Sequence, residues 1–251
     1  MVRFEKWQGL GNDFIVVTSS IEPEHVVRLC DRHFGIGADG VLIVEPGPRM
    51  IVINADGSRP EMCGNGLRCV VGHLAEDEGA TEDEGELSVA TDAGDKRCHY
   101  RRGPAGSVEV SVDMGPAKVD APFTHRRFEL TPVNMGNPHV VSFDDHEDAD
   151  LDLIGPELQT LIAGGVNVEL CRLRGGGVDV AVWERGVGRT LACGTGACAV
   201  AAAACARGLH RYGEPLAVRL PGGTLTIVVP ASGGVVMTGP AERVFVGETG
   251  L

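Results

Sequence analysis

Apolar residues come in short runs closed by Gly, Pro, Asn or Asp, a pattern that predicts strands more often than helices. Strand candidates in the first half are 14–18, 41–44, 50–54, 87–91, 96–101 and 108–112. In the second half they are 127–130, 139–143, 166–173, 178–184, 216–220, 224–229, 235–238 and 244–246. Val108-Glu109-Val110-Ser111-Val112 alternates with period two, as a strand with one wet face does. The short intervals between Gly and Pro favour antiparallel connections. Helical periodicity is confined to 23–33, 67–78, 154–163 and 197–207. The Ala-rich stretch 197–206 has no polar face and is expected to be buried all round. The pattern predicts an α+β protein of two halves, each a largely antiparallel sheet around one apolar helix. Gly115-Pro116-Ala117-Lys118 is the linker candidate, giving domains at 1–116 and 117–251, with a C-terminal strand at about 240–251 packing on the first.

The two halves repeat a local order. Cys63-Gly64-Asn65-Gly66 returns as Cys193-Gly194-Thr195-Gly196. An apolar run ends upstream of each, in Asn54 and Glu184. Each Cys precedes an apolar stretch that can be helical. Gly11-Asn12 before Phe14-Ile15-Val16-Val17 likewise returns as Gly136-Asn137 before His139-Val140-Val141. Such order predicts a duplicated unit presenting one thiol per copy at a helix start.

Composition narrows the setting. The net charge of −13 repels polyphosphate, so nucleic acid is an unsuitable partner. Much of the acidic excess lies at 76–86 and 144–152, which read as solvated loops or helix ends. No apolar run is long enough for a membrane span. Met1-Val2-Arg3-Phe4-Glu5-Lys6 lacks the apolar core of a secretion signal, which predicts a cytoplasmic protein. The eight cysteines form no Cys-x-x-Cys pair, so neither a zinc site nor a disulfide framework is expected. Cys30, Cys69, Cys98, Cys171, Cys198 and Cys205 read as small buried residues.

A Cys directly before a helix has a chemical meaning. First-turn amides and the helix dipole favour negative charge there, which lowers a thiol pKa and also suits a bound carboxylate. The glycines let the backbone turn tightly and approach a ligand. Alone, either motif reads first as a tight turn; duplication with matched upstream spacing reverses that in favour of chemistry. Two such thiols suit inversion of a stereocentre, one removing a proton and the other returning one.

Seven motifs carry a wider resemblance: Gly11-Asn12-Asp13-Phe14, Asn54-Ala55-Asp56-Gly57-Ser58, Met62-Cys63-Gly64-Asn65-Gly66-Leu67-Arg68-Cys69, Met135-Gly136-Asn137-Pro138-His139, Val166-Asn167-Val168, Glu184-Arg185-Gly186 and Ala192-Cys193-Gly194-Thr195-Gly196-Ala197. From about residue 3 to the C-terminus the chain resembles the diaminopimelate epimerase family. The resemblance implies two pseudo-symmetric domains, each a barrel-like sheet around a central helix, with the site between them. It implies interconversion of LL- and meso-diaminopimelate, for lysine and peptidoglycan precursors, with Cys63 and Cys193 as the two bases and neither cofactor nor metal. Gly64, Asn65, Gly194 and Thr195 then bind the reacting carboxylate through backbone amides. Asn12, Asn54, Asn137, Asn167, Glu184 and Arg185 hold the rest of the substrate, with Arg185 on the distal carboxylate and Glu184 on the distal ammonium. His139 fits either a place near the site or a structural hydrogen bond. A homodimer is expected.

Two positions depart from the family pattern: Gly40, where many members carry Gln, and Arg189, where many carry Glu. A racemase or epimerase acting on histidine, proline or hydroxyproline is the alternative on the same scaffold. A non-catalytic amino-acid-binding module and a thiol redox sensor are rivals of other classes. The redox sensor needs neither Arg185 nor Asn54, and the binding module does not need both thiols.

Overall fold

The computed structural model describes residues 1–76 and 83–250. The chain forms two compact units, Met1–Val112 with Gly239–Leu251, and Asp113–Thr238. The last two residues expected of the helix at 67–78, and part of the acidic run at 76–86, lie outside the described residues.

The first unit contains strands β1 (Val2–Gly9), β2 (Asn12–Val17), β3 (Gly40–Glu45), β4 (Arg49–Asn54), β5 (Glu84–Val89), β6 (Lys96–Arg102) and β7 (Ser107–Asp113), with helices α1 (Pro23–Cys30) and α2 (Gly64–Glu76). Strand β2 pairs antiparallel with β1 and parallel with β3, and β3 pairs antiparallel with β4. A parallel pair needs a crossover, and α1 supplies it. Because α2 packs against β1 and β2 while α1 packs against β3 and β4, the strands between are dry on both sides. The unbroken Phe14-Ile15-Val16-Val17 run in β2 is buried throughout. The α1 side of this core joins Phe4, Ile15, Val17, Val26, Leu29, Val41 and Ile43.

The second unit repeats that order. It contains β8 (Lys118–Val119), β9 (Phe123–His125), β10 (Phe128–Asn134), β11 (Pro138–Ser142), β12 (Asn167–Arg174), β13 (Gly177–Glu184), β14 (Gly188–Arg189), β15 (Pro215–Leu220) and β16 (Gly223–Val228), with α3 (Asp148–Leu161) and α4 (Gly194–Ala206). Strand β11 pairs antiparallel with β10 and parallel with β12, and β12 pairs antiparallel with β13. Here α3 is the crossover, packing Leu151, Ile154 and Leu158 onto Leu130, Val140, Val168 and Leu170. Helix α4 packs against β10, β11, β12, β15 and β16, and Ala197 to Cys205 is buried without a break. The fold is the α+β class predicted, with mostly antiparallel strands.

Several expectations shift. Val2–Gly9 is a strand that the pattern did not reveal. Its alternation is broken because Lys6 is buried, with its ammonium 2.5 Å from Asp13. Helix α3 starts well before 154, since the acids there form its first turn: the Asp150 carboxylate accepts the Glu147 amide at 2.6 Å. The linker candidate includes Lys118, which pairs with Asn134 in β8 and β10. The runs at 235–238 and 244–246 are one strand, β17 (Val236–Thr249). Up to Thr238 it pairs with β16, and from Glu242 onward with β1.

Candidate active site

Each unit places its cysteine in the same local frame. In the first, β4 ends in Asn54 and the chain reaches Cys63 just before α2. The carbonyl of Cys63 accepts the Leu67 amide at 2.8 Å, and its sulfur accepts the Gly66 amide at 3.4 Å. In the second, β13 ends in Glu184 and Cys193 is the N-cap of α4. Its carbonyl accepts the Ala197 amide at 2.9 Å, and its sulfur accepts the Gly196 amide at 3.3 Å. Cysteine thus does the work that Ser or Asp does at most helix starts, and each sulfur is fixed by a first-turn amide.

Around Cys63 the expected polar residues converge. Asn12 follows Gly11, whose φ of 81° needs glycine to turn β1 into β2. Its Oδ1 lies 4.0 Å from the Cys63 sulfur and accepts Asn65 Nδ2 at 3.1 Å. Its Nδ2 donates to Asp39 at 2.7 Å. Asp39 also receives Arg32 at 2.8 Å, so it links Asn12 to a surface cation. Buried Arg68 donates to Asn65 Oδ1 at 3.1 Å, fixing that amide from behind. Asn54 instead bonds Ser58 at 2.9 Å. Asp39 and Arg68 were not singled out from sequence. Arg68 follows Leu67 inside an apolar helix, which is the signal that was available.

Around Cys193 the network is denser. His139 Nδ1 meets Glu169 at 2.7 Å and its Nε2 meets Asn137 Oδ1 at 3.0 Å. Asn137 Nδ2 donates to Thr195 Oγ1 at 3.3 Å, and Thr195 Oγ1 lies 3.6 Å from the Cys193 sulfur. Glu184 accepts Thr190 Oγ1 at 2.5 Å and hydrogen-bonds Cys193. Asn167 donates to the Pro138 carbonyl at 3.2 Å and accepts the Arg185 amide at 2.8 Å. The Arg185 guanidinium is exposed and donates to the Gly164 carbonyl at 2.9 Å. Glu169 and Thr190 join this network beside the residues expected in this half. A lone Glu in the buried run Val166 to Leu170 is the mark that was missed.

The electrostatics correct one expectation. A helix start lowers a thiol pKa, yet burial, and then the carboxylates of Glu184 and Glu169, push the Cys193 thiol well above its ordinary value, against the bonds from Thr195 and Gly196. Burial likewise raises Glu184, with Glu169 adding to it and the Thr190 and Cys193 bonds opposing. The six background cysteines are buried thiols, as expected. Burial pushes Cys30 up to about 11 and Cys69 and Cys98 up to about 12.

Both departures from the family pattern have a physical setting. Arg189 grips Asp152 on α3 through Nε at 2.5 Å and Nη2 at 3.1 Å, so its reversed charge is met by an acid. At Gly40, directly opposite Asn54 in the ladder, a Cβ would stand 2.6 Å from the Ile53 carbonyl oxygen. The two strands therefore approach more closely than any side chain there permits.

The sequence model of the family described as diaminopimelate epimerase matches residues 4–119 and 131–244. The chain is 38% identical to the diaminopimelate epimerase of Nostoc punctiforme, over 98% of this chain and 99% of that one. It is 39% identical to that of Synechococcus elongatus, over 100% and 99%. Among solved structures it shares its fold with a predicted epimerase from Pseudomonas aeruginosa, with a TM-score of 0.77, 16% identity and 99% of both chains covered. A probable proline racemase from Agrobacterium radiobacter gives 0.74 at 18% identity, over 100% of this chain and 93% of that one. With the family's sequence model matched along most of its length and such relatives covering it end to end, the chain belongs to the diaminopimelate epimerase family.

Proposed function

We propose that this chain is a diaminopimelate epimerase that inverts one α-carbon between the LL and meso forms by a two-base mechanism, in the supply of lysine and peptidoglycan precursors. The carrying observation is the repeated frame in which Cys63 and Cys193 each cap a helix and each take a first-turn amide on sulfur. One sulfur, as thiolate, takes the α-proton from one face; the other, as thiol, returns a proton to the opposite face. The product leaves the two sulfurs with their protonation states exchanged, so atoms and charge balance. Burial beside two carboxylates favours Cys193 as the initial thiol, which makes Cys63 the initial base. The backbone amides of Gly64 and Asn65, and of Gly194 and Thr195, hold the α-carboxylate, where helix dipoles favour the charge that develops as the proton leaves. Asn12, Asn54, Asn137 and Asn167 fix the amino-acid ends, Arg185 the distal carboxylate and Glu184 the distal ammonium.

A cytoplasmic homodimer belongs to the same proposal, and light scattering tests the second part of it. Among the described residues no helix is long and apolar enough to cross a membrane. The function is tested by incubating an amino-acid panel in deuterated water and reading α-deuteration by mass and inversion by chiral chromatography. Inversion with solvent deuterium is expected for LL- and meso-diaminopimelate alone. Equal rates on proline, hydroxyproline or histidine, or no exchange at all, would overturn the reading.

A further inference from the structure

The second unit buries a polar pair where the first buries an apolar one. On the parallel strands β2 and β3, Phe14 lies opposite Gly40 and Val16 opposite Leu42. On the parallel strands β11 and β12, His139 lies opposite Asn167 and Val141 opposite Glu169. Phe14 therefore corresponds to His139, and Leu42 to Glu169. The neighbours agree: a Cβ on Gly66 would meet Leu42 Cδ2 at 2.9 Å, and one on Gly196 would meet Glu169 Oε1 at 2.6 Å. All four side chains are at most 1% exposed. The duplicated frame is thus satisfied by Phe and Leu, and burying an imidazole and a carboxyl in their place carries a desolvation cost that the apolar pair avoids. The polar pair is retained for something other than packing.

Its hydrogen bonds have a direction. Asn137 presents Oδ1 to His139 and Nδ2 to Thr195. An Oδ1 acceptor requires a proton on His139 Nε2. Since Asn137 donates to Thr195 Oγ1, the Thr195 hydroxyl proton is left to donate to the Cys193 sulfur. A bare Nε2 would reverse every step: the Asn137 amide would turn, its oxygen would take the Thr195 proton, and the sulfur would lose a donor. We infer that Glu169 is a positioning residue that keeps a proton on His139 Nε2 and thereby fixes this chain so that Thr195 donates to Cys193.

The proton between Glu169 and Nδ1 can sit on either partner, and Nε2 keeps its own in both cases. Removing one proton from the pair leaves a net negative charge in a dry site that already faces Glu184 at the end of β13, with Cys171 on β12 and Cys193 at the start of α4 beside it. Glu169 Oε2 is buried without a hydrogen-bond partner among the described residues, which a carboxylic acid tolerates better than a carboxylate.

This inference rests on the two-thiol reading of Cys193, and its first test does not need substrate. In the Glu169→Gln variant the Gln amide can donate N–H to Nδ1, as the carboxylic acid does, so Nε2 keeps its proton; in Glu169→Leu nothing beside Nδ1 holds the tautomer. Nitrogen NMR of histidine-labelled wild-type protein, with His139 assigned by its loss in His139→Phe, is expected to show Nε2–H. Glu169→Gln is expected to keep the Nε2–H form and Glu169→Leu to populate the Nδ1–H form. An Nδ1–H form in the wild type would overturn the inference whatever the enzyme acts on. In turnover, Glu169→Leu is expected to lower kcat on the order of a hundredfold with KM changed far less, and Glu169→Gln to recover most of that loss. The double variant His139→Phe with Glu169→Leu installs the first unit's pair. It is expected to melt at or above the wild-type temperature while losing kcat as Glu169→Leu does. Wild-type kcat in Glu169→Leu or in the double variant, or a loss in Glu169→Gln as large as in Glu169→Leu, would overturn the inference.

Discussion

Asn167 holds the backbone of Arg185, accepting its amide on Oδ1 at 2.8 Å, while the exposed Arg185 guanidinium donates to the Gly164 carbonyl at 2.9 Å. Fixing the residue and using its side chain are therefore separable. Arg185→Ala leaves the main chain in place and is expected to keep the wild-type melting temperature. It removes a bidentate carboxylate partner, so kcat/KM for diaminopimelate is expected to fall by about 2–5 kcal/mol equivalent. Steady-state kinetics beside a thermal melt checks both. A lowered melting temperature with unchanged kcat/KM would assign Arg185 to structure alone.

The two helix starts are expected to differ in tolerance. Gly196→Ala drives a methyl into a carboxyl already held by His139 and against the Cys193 sulfur, at 2.6 and 3.1 Å. We expect kcat to fall about a hundredfold, the scale of a misplaced reacting group. Gly66→Ala meets the end of Leu42, an apolar side chain that can change rotamer, and is expected to cost kcat several times less. Equal losses at the two sites would argue against the asymmetric surroundings described for the two sulfurs.

Alkylation separates the thiols. Cys63 is half-buried, whereas Cys193 is buried with its thiol pushed up by burial, Glu184 and Glu169. Iodoacetamide at neutral pH is expected to label Cys63 first by peptide mapping, with Cys193 labelling accelerating as pH rises. Glu184→Gln removes one opposing charge and is expected to bring Cys193 labelling to lower pH. Preferential labelling of Cys193 in the wild type would reverse the assignment of initial base and acid.

Stability is expected to decline in alkali. Cys69 and Cys98 stay protonated in the fold up to about 12, whereas unfolded thiols ionise above about 8.5. Above that value the native state binds more protons than the unfolded one, so unfolding free energy falls as pH rises, by about 1.4 kcal/mol per pH unit for each such thiol. Denaturant titrations at several pH values check the slope. Cys69→Ala with Cys98→Ala is expected to flatten it between about pH 9 and 11.

Much of this was legible because it follows from burial. Strands such as Met50-Ile51-Val52-Ile53 and the Ala-rich helix carry continuous apolar runs, and the duplicated Cys-Gly-x-Gly frame stands out against them. Strand β1 was hidden because Lys6 occupies a buried position that Asp13 and the Gly37 carbonyl make acceptable. The first turn of α3 was hidden because acids near a helix start read as loop until their amide partners are seen. Strand β17 read as two because Gly239-Pro240 looks like a break, whereas it lies where the strand changes partners. In the site, the residues that meet the cysteines directly were found. Glu169 was not, since its reason for being buried is His139, thirty positions away.

The return of β17 to β1 sets the order in which a growing chain can fold. Val2 pairs with Thr249 and Gln8 with Glu242, so one side of β1 has no partner until residues 242–249 have been synthesised. The second unit, contiguous from Asp113 to Thr238, is complete before that moment. The half made later is therefore the half able to fold first, and the half made earlier leaves the ribosome carrying an open strand edge. Its last, long-range closure sets a high contact order for the N-terminal unit and makes it the slower of the two to mature.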